Sequence, residues 1–271
     1  MSIEFTDSET CHLVKLLSAE RLKALTELTG SSQTAIELHQ ATLALGAELM
    51  SVVATIEISL RNSVRDNLTQ HFGVDTWLLQ PPVPFQWKEP EKKKAVMAQD
   101  SAQRAEYAKL NQAEKGALDV LAYPNGRPPN TSHLKRAKDR RKHISVSTGK
   151  VVAELTLYFW KRLYGPEYDQ TLWRPTLKRT FPNKKIKRAD IATNLEKIYQ
   201  VRNRLAHHEP VLHKRFDEAV AAIEYIAENL ETPSTDKNTP LAKLIASELS
   251  LLKKQARDLH DTLEVFRNKG A

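Results

Sequence analysis

The chain of 271 residues has a single cysteine, Cys11, so no intrachain disulfide can staple it. That usage fits a reducing compartment, and a cytoplasmic location is expected. Glycine is scarce, at 8 residues, and alternating β-branched runs are rare. Both shortages count against a sheet protein and favour an all-α chain. No uninterrupted run of about 18 apolar residues occurs, so no membrane span is expected. The opening MSIEFTDSETC is polar and acidic and does not read as a signal peptide. Acidic residues are also in deficit. Lys plus Arg number 41 against 33 Asp plus Glu, a net charge of +8. An excess of that size favours a polyanionic partner without requiring one.

What is present is helical periodicity. CHLVKLLSAERLKALTELTG reads as one helix, closed by Gly30. A second, long helix is expected from about 33 to 72, with Leu45, Leu49, Val52, Ile56, Leu60, Val64 and Leu68 at steps of three or four. Gly46 inside it marks either a local weakness or a close-packing point. The prolines between Pro81 and Pro90 forbid regular helix there. The region from about 80 to 143 therefore reads as an insertion with a short helix of its own, decorating the main body. VSTGKVVAELTLYFWKRLYG is strongly apolar and reads as one buried helix, and Trp77, Trp87, Trp160 and Trp173 read as packing residues. Two further helices flank the segment VRNRLAHHEPVLHKRF. A polar connector, ETPSTDKNTP, leads to a last helix over about 241–268. Its apolar residues step 4-3-4-3, the spacing of a packed seam against its own domain or a second copy.

VRNRLAHHEPVLHKRF concentrates hydrogen-bonding and titratable groups. Arg202 and His207 are five residues apart, about 140° and about 7.5 Å on a regular helix. A helix end loosened by Pro210 would let them converge on one ligand. Metal-free RNA cleavage needs such groups. The attacking 2′-hydroxyl must lose a proton, the leaving 5′-oxygen must gain one, and the phosphorane's charge must be offset. Histidine suits the proton transfers and arginine the phosphorane. Asn203 can orient either group. One histidine serves poorly as both base and acid, whereas a two-fold dimer would supply two copies of His207. A plain reading stands beside this one: a polar helix end with a basic residue near its C-terminus. His207, His208, Glu209 and His213 lack the HExxH spacing and any cysteine support, so no metal and no cofactor is expected.

RNRLAH fits the Arg-polar-x3-His motif of the HEPN ribonuclease superfamily, with Arg202, Asn203 and His207 on the motif positions. VRNRLAHHEPV resembles the signature of its abortive-infection (Abi-like) branch. IEISLRNSVRDNLTQHFGVDTWL and VSTGKVVAELTLYFWKRLYGPEYDQTLW resemble two other segments of that branch, in the same order. The resemblance covers roughly residues 35 to 80 and 145 to 230. It implies an all-helical up-and-down bundle, usually a homodimer, whose paired motifs form a composite metal-independent ribonuclease site. Toxin or phage-defence roles are typical, sometimes with an antitoxin or other neutralising partner. Some relatives carry a modifiable Tyr two residues after the motif His; Glu209 stands there in this chain, so that control is not carried over.

On this reading Arg202, Asn203 and His207 are the catalytic candidates, with His208, Glu209 and Arg204 in support. Glu57, Arg61 and Asn62 are either a helix-stabilising cluster or a buttress for the active-site helix. Two basic runs offer phosphate contacts: Lys135, Arg136, Arg140 and Arg141, then Lys184, Lys185, Lys187 and Arg188. The expected organisation is a helical domain over 1–230, with the insertion at about 80–143, then a linker and C-terminal helix over 231–271. The competing reading is a non-catalytic helical module that binds RNA or a protein partner.

Overall fold

The computed structural model describes residues 5–231 and 238–269, and among these all regular structure is helical. The elements are α1 (Asp7–Leu17), α2 (Ala19–Thr29), α3 (Ser32–Phe72), α4 (Glu89–Lys109), α5 (Gln112–Ala122), α6 (His133–Arg141), α7 (Thr148–Ala153), α8 (Leu157–Arg162), α9 (Arg188–Ala206), α10 (His213–Asn229) and α11 (Pro240–Lys269). Two units emerge. The first takes residues 1–60 with 181–271, and the second takes 61–180. The C-terminal helix shares a unit with the N-terminal helices, and the supposed insertion is part of a larger unit. The connector's residues 232–237 lie outside the described residues.

In the first unit, the single N-terminal helix expected over 11–30 is two helices. Ser18 adopts a positive φ of 75° between them, ending α1 and starting α2. A capping box of Thr6 and Glu9 fixes the start of α1. Gly30, at φ 67°, closes α2 with its N–H on the Thr26 carbonyl at 2.8 Å.

The motif helix α9 is set by its apolar face. Ile191, Leu195, Ile198, Val201 and Leu205 are buried at steps of three and four. Burial of side chains this size contributes roughly 1.5–3 kcal/mol each, which fixes the helix's rotation. Asn203 therefore turns away from the core, whereas Arg202, four residues after Ile198 and three before Leu205, stays beside the buried face and is half-buried. α9 pairs with α10, and α10 packs on α11, which also meets α2. The seam of α11 is buried within the chain through Ile245, Leu249, Leu252, Ala256, Leu259 and Leu263. Gln255 Nε2 donates to Glu48 Oε1 at 2.9 Å, tying α11 to α3.

One window of 18 residues in α3 has a mean hydropathy of 1.7 and at most two charged residues, long and apolar enough to cross a membrane. This amends the expectation drawn from uninterrupted apolar runs, because Ala, Ser and Thr dilute the window without charging it. Within the protein a third of that window is buried.

The second unit is built around aromatic side chains. Trp87 has ring centroids 4.8 Å from Phe85, 5.6 Å from Phe159 and 6.0 Å from Tyr168. Its Nε1 donates to the Leu78 carbonyl at 3.0 Å, and Trp77 Nε1 donates to Thr69 Oγ1 at 2.9 Å. The proline-rich stretch thus carries a core tryptophan instead of decorating a surface. All four tryptophans are buried, as their sequence context suggested. Glu91 at the start of α4 is 1% exposed, and it accepts from Arg162 Nε at 3.0 Å and from Tyr168 Oη at 2.8 Å. The one buried helix expected near Val151–Leu163 is two short helices. Thr156, with φ −89° and ψ 167°, is extended between α7 and α8. β-Branched Val and Thr residues tolerate that break well.

Candidate functional site

The end of α9 is a Schellman motif. The His208 N–H donates to the Leu205 carbonyl at 3.0 Å, and the Glu209 N–H donates to the Arg204 carbonyl at 2.9 Å. His208 takes the left-handed position, φ 56°, where glycine is the usual occupant. The helix therefore stops by its own cap before Pro210, which does not loosen the last turn as the sequence suggested. Arg204 Nη1 donates to Glu209 Oε2 at 2.8 Å and closes the cap with an ion pair. Arg204 and Glu209, read as supporting residues, are committed to each other.

Arg202 and Asn203 are half-buried and His207 is exposed; none of their side chains has a hydrogen-bond or ion-pair partner among the described residues. His207 sits at the cap itself, φ −96° and ψ 10°, its N–H shared between the carbonyls of Asn203 at 3.2 Å and Arg204 at 3.0 Å. Asn203 and His207 stand one turn apart on one face of α9. Arg202 stands one turn before Ala206 on the neighbouring face.

Ala206 leads into a cleft of about 370 Å³ between α3 and the end of α9. Its α3 side is formed by Leu43, Gly46, Ala47 and Met50; its α9 side holds Leu205, His208, Glu209 and Pro210. The cleft takes in the supporting residues His208 and Glu209, while Arg202, Asn203 and His207 stay outside it. Sequence reasoning missed this cleft, although Gly46 was its signal. A Cβ built on Gly46 would lie 3.3 Å from Leu205 Cδ2, so this glycine lets α3 approach the motif helix closely. Glu57 is half-buried and continues the face of Ala47, Met50 and Ala54 along α3. Arg61 and Asn62 belong to the second unit. Asn62 is exposed, and Arg61 Nε is buried without a hydrogen-bond partner among the described residues.

Beyond the cap, His213 at φ 51° donates its backbone N–H to His260 Nε2 at 2.9 Å, and the two rings stack at 4.3 Å. His213 is thereby engaged with α11. Burial lowers the His260 pKa, the nearby His213 lowers it further, and Asp217, Asp261 and Glu264 oppose the shift. No three His, Cys, Asp or Glu side chains cluster closely enough to hold a metal ion among the described residues.

The two basic runs fare differently. Arg140 is 7% exposed and donates its Nε to Asp119 Oδ1 at 2.6 Å, and Arg136 binds the same carboxylate. Hydrogen bonds from Arg136 and then Arg140 hold the Asp119 pKa far below the usual carboxylate range. Lys135 pairs with Asp139 at 2.8 Å, and Arg141 with Asp100 at 3.2 Å. The first run is thus spent on internal ion pairs, which leaves buried Arg140 no face for a phosphate. In the second run Lys184, Lys185 and Lys187 are exposed, whereas Arg188 is half-buried and has a partner. These lysines lie at the opposite end of α9 from the motif, with Lys187 about 22 Å from Arg202 along the helix axis.

No protein-family model, no curated protein and no solved structure matches the chain.

Proposed function

We propose that the chain is a metal-independent endoribonuclease of HEPN type, acting as a homodimer in an abortive-infection or toxin role. The observation that carries this reading is the state of the motif side chains. His207 is exposed, Arg202 and Asn203 are half-buried, and none of the three side chains has a partner among the described residues, while the neighbouring Arg204 and Glu209 neutralise each other. Groups that meet a substrate must be free to do so, and the cap holds their backbone in place.

In the reaction, the 2′-hydroxyl oxygen forms a bond to the adjacent phosphorus as His207 takes its proton. The bond from phosphorus to the 5′-oxygen breaks, and that oxygen receives a proton from the His207 of a second copy. Arg202 offsets the charge on the phosphorane through its planar fork. Asn203, one turn before His207, orients the imidazole or the phosphate. The products are a 2′,3′-cyclic phosphate and a 5′-hydroxyl. Exposed Lys184, Lys185 and Lys187 steer the RNA several nucleotides from the cut.

A second reading draws on a specific observation. Arg202, Asn203 and His207 lie outside the cleft that adjoins the end of α9. A non-catalytic RNA-binding or protein-interaction module would have this arrangement. The two readings separate in one experiment: RNA is incubated in EDTA with wild type, His207→Ala and Arg202→Ala. Cleavage by wild type alone supports the ribonuclease. Salt-sensitive binding without cleavage by any of the three supports the module.

A further inference from the structure

We infer that the cleft beside the motif is a nucleobase-binding site, and that it takes guanine. The inference rests on the reading of the chain as an RNA-cutting protein, because it gives the cleft a nucleotide to hold.

The cleft's size, about 370 Å³, lies at the lower end of the range for small-ligand sites. Its floor is Gly46 and Ala47, where the absence of larger side chains leaves depth. Its walls are Leu43, Met50 and Pro210, apolar groups that suit the faces of a flat ring. Polar groups stand among the lining residues from the α9 side. The His208 ring has no partner among the described residues; Glu209 takes one hydrogen bond from Arg204 on Oε2, so Oε1 is open and Oε2 keeps a second lone pair. A carboxylate accepts hydrogen bonds only. Guanine alone among the bases offers two adjacent N–H donors, N1–H and the 2-amino group, to such an acceptor.

Two observations point the same way independently of the cleft's shape. His208 lines it from a left-handed backbone conformation that costs a non-glycine residue roughly 1–2 kcal/mol. Glycine would close the same Schellman motif without that strain but would bring no imidazole to the cleft. The cleft also adjoins the motif directly. Ala206, in its lining, is one turn from Arg202, and His208 follows His207. A nucleotide with its phosphate at Arg202 and His207 has its base within reach of this opening. Cleavage would then be favoured beside guanosine.

The chain has three methionines, so a spectrum of methyl-labelled methionine holds three resonances, with Met50 in the cleft and Met97 as an internal control. Full-length wild type is titrated with the 5′-monophosphates of guanosine, adenosine, cytidine and uridine. The expected result is a saturable shift of the Met50 resonance by guanosine monophosphate, about tenfold tighter than for the other three, with Met97 unmoved. Glu209→Gln should erase most of that preference. Ala47→Phe, at an exposed floor position, should abolish the shift while leaving the thermal midpoint close to wild type. A Met50 signal that ignores all four nucleotides overturns the inference, as does equal binding of all four. If Ala47→Phe alters the sedimentation mass and no nucleotide binds, the cleft is a subunit contact and the inference is wrong. Failure of the ribonuclease reading is distinguishable. A chain that binds guanosine monophosphate but spares RNA keeps the cleft and loses the catalysis. A chain that cuts RNA without regard to guanosine, and binds none of the nucleotides, does the reverse.

Discussion

Arg204 and Glu209 hold each other twice at the end of α9, once through side chains at 2.8 Å and once through the Glu209 N–H on the Arg204 carbonyl at 2.9 Å. The pair divides the polar cluster. Two of its charges serve the cap, and Arg202, Asn203 and His207 are left for a substrate. Both members are about half exposed, so the ion pair itself contributes only about 0.5 kcal/mol. Arg204→Ala should therefore lower the urea midpoint slightly and leave most RNA cleavage intact. Arg202→Ala should leave the midpoint unchanged and reduce cleavage about 10²- to 10³-fold. Urea unfolding and a cleavage time course on both variants check this, and the reverse pattern would exchange the roles of the two arginines.

Gly46 sets how close α3 comes to the motif helix. A Cβ there meets Leu205 Cδ2 at 3.3 Å, so alanine forces a small adjustment and leucine a large one. Gly46→Leu should destabilise the first unit by about 1–3 kcal/mol and displace the end of α9. Adding Leu205→Ala should recover part of the loss, because the two changes share one space. Denaturant titration of both single variants and the double variant measures that coupling; additive losses would mean that the contact does not bind the two helices.

Acidification should weaken the first unit before any carboxylate is protonated. His39 is 6% exposed, its Nδ1 has no partner among the described residues, and burial followed by the charge of Arg21 lowers its pKa from 6.5. His260 is lowered for related reasons. A histidine with a depressed folded pKa takes up protons in the unfolded chain first. Its stabilisation is therefore complete above pH 6.5 and is lost as pH falls below that value toward the folded pKa. Protonation of His260 also removes the acceptor for the His213 N–H. The urea midpoint should drop between pH 7 and pH 5, and His39→Gln with His260→Gln should flatten that slope. Asp119, held low by its arginines, contributes only at more acidic pH. A midpoint independent of pH across this window would contradict the assignment.

Glu91 is the charge on which α4 is fastened. Its removal leaves the Tyr168 O–H without its acceptor beside an aromatic core and takes one of two carboxylates from Arg162, which keeps its ion pair with Glu167. Glu91→Ala should cost about 1–3 kcal/mol, the usual penalty for leaving a buried hydroxyl donor unsatisfied. Tryptophan fluorescence during urea unfolding would show the loss, since Trp77, Trp87, Trp160 and Trp173 all lie in that unit. A variant as stable as wild type would rule out this fastening role.

Much of the helical architecture was legible in residue spacing. α3, α9, α10 and α11 fall where the apolar steps of three and four put them, because each has one continuous buried face. Ser18 and Thr156 break two other helices with backbone conformations that neither residue type announces. The neutralisation of Arg136 and Arg140 was hidden because Asp119 lies 17 and 21 residues away, and such partners meet only in the fold. At the candidate site the string from Arg202 to His207 could be read directly. The left-handed turn at His208 could not, since the sequence offers no glycine there, and Pro210 suggested a loosened helix end where a regular cap stands.

Two neighbouring histidines thus have different addresses. The chain reverses handedness between His207, at φ −96°, and His208, at φ 56°, so one ring lines the cleft and the other does not. The peptide bond between them works like a railway point, sending adjacent side chains down separate tracks. Deleting a single residue at this spot would swap their destinations, whereas replacing either ring would leave the other's course intact. Substitutions at these positions can therefore drift independently, but the length of the turn cannot.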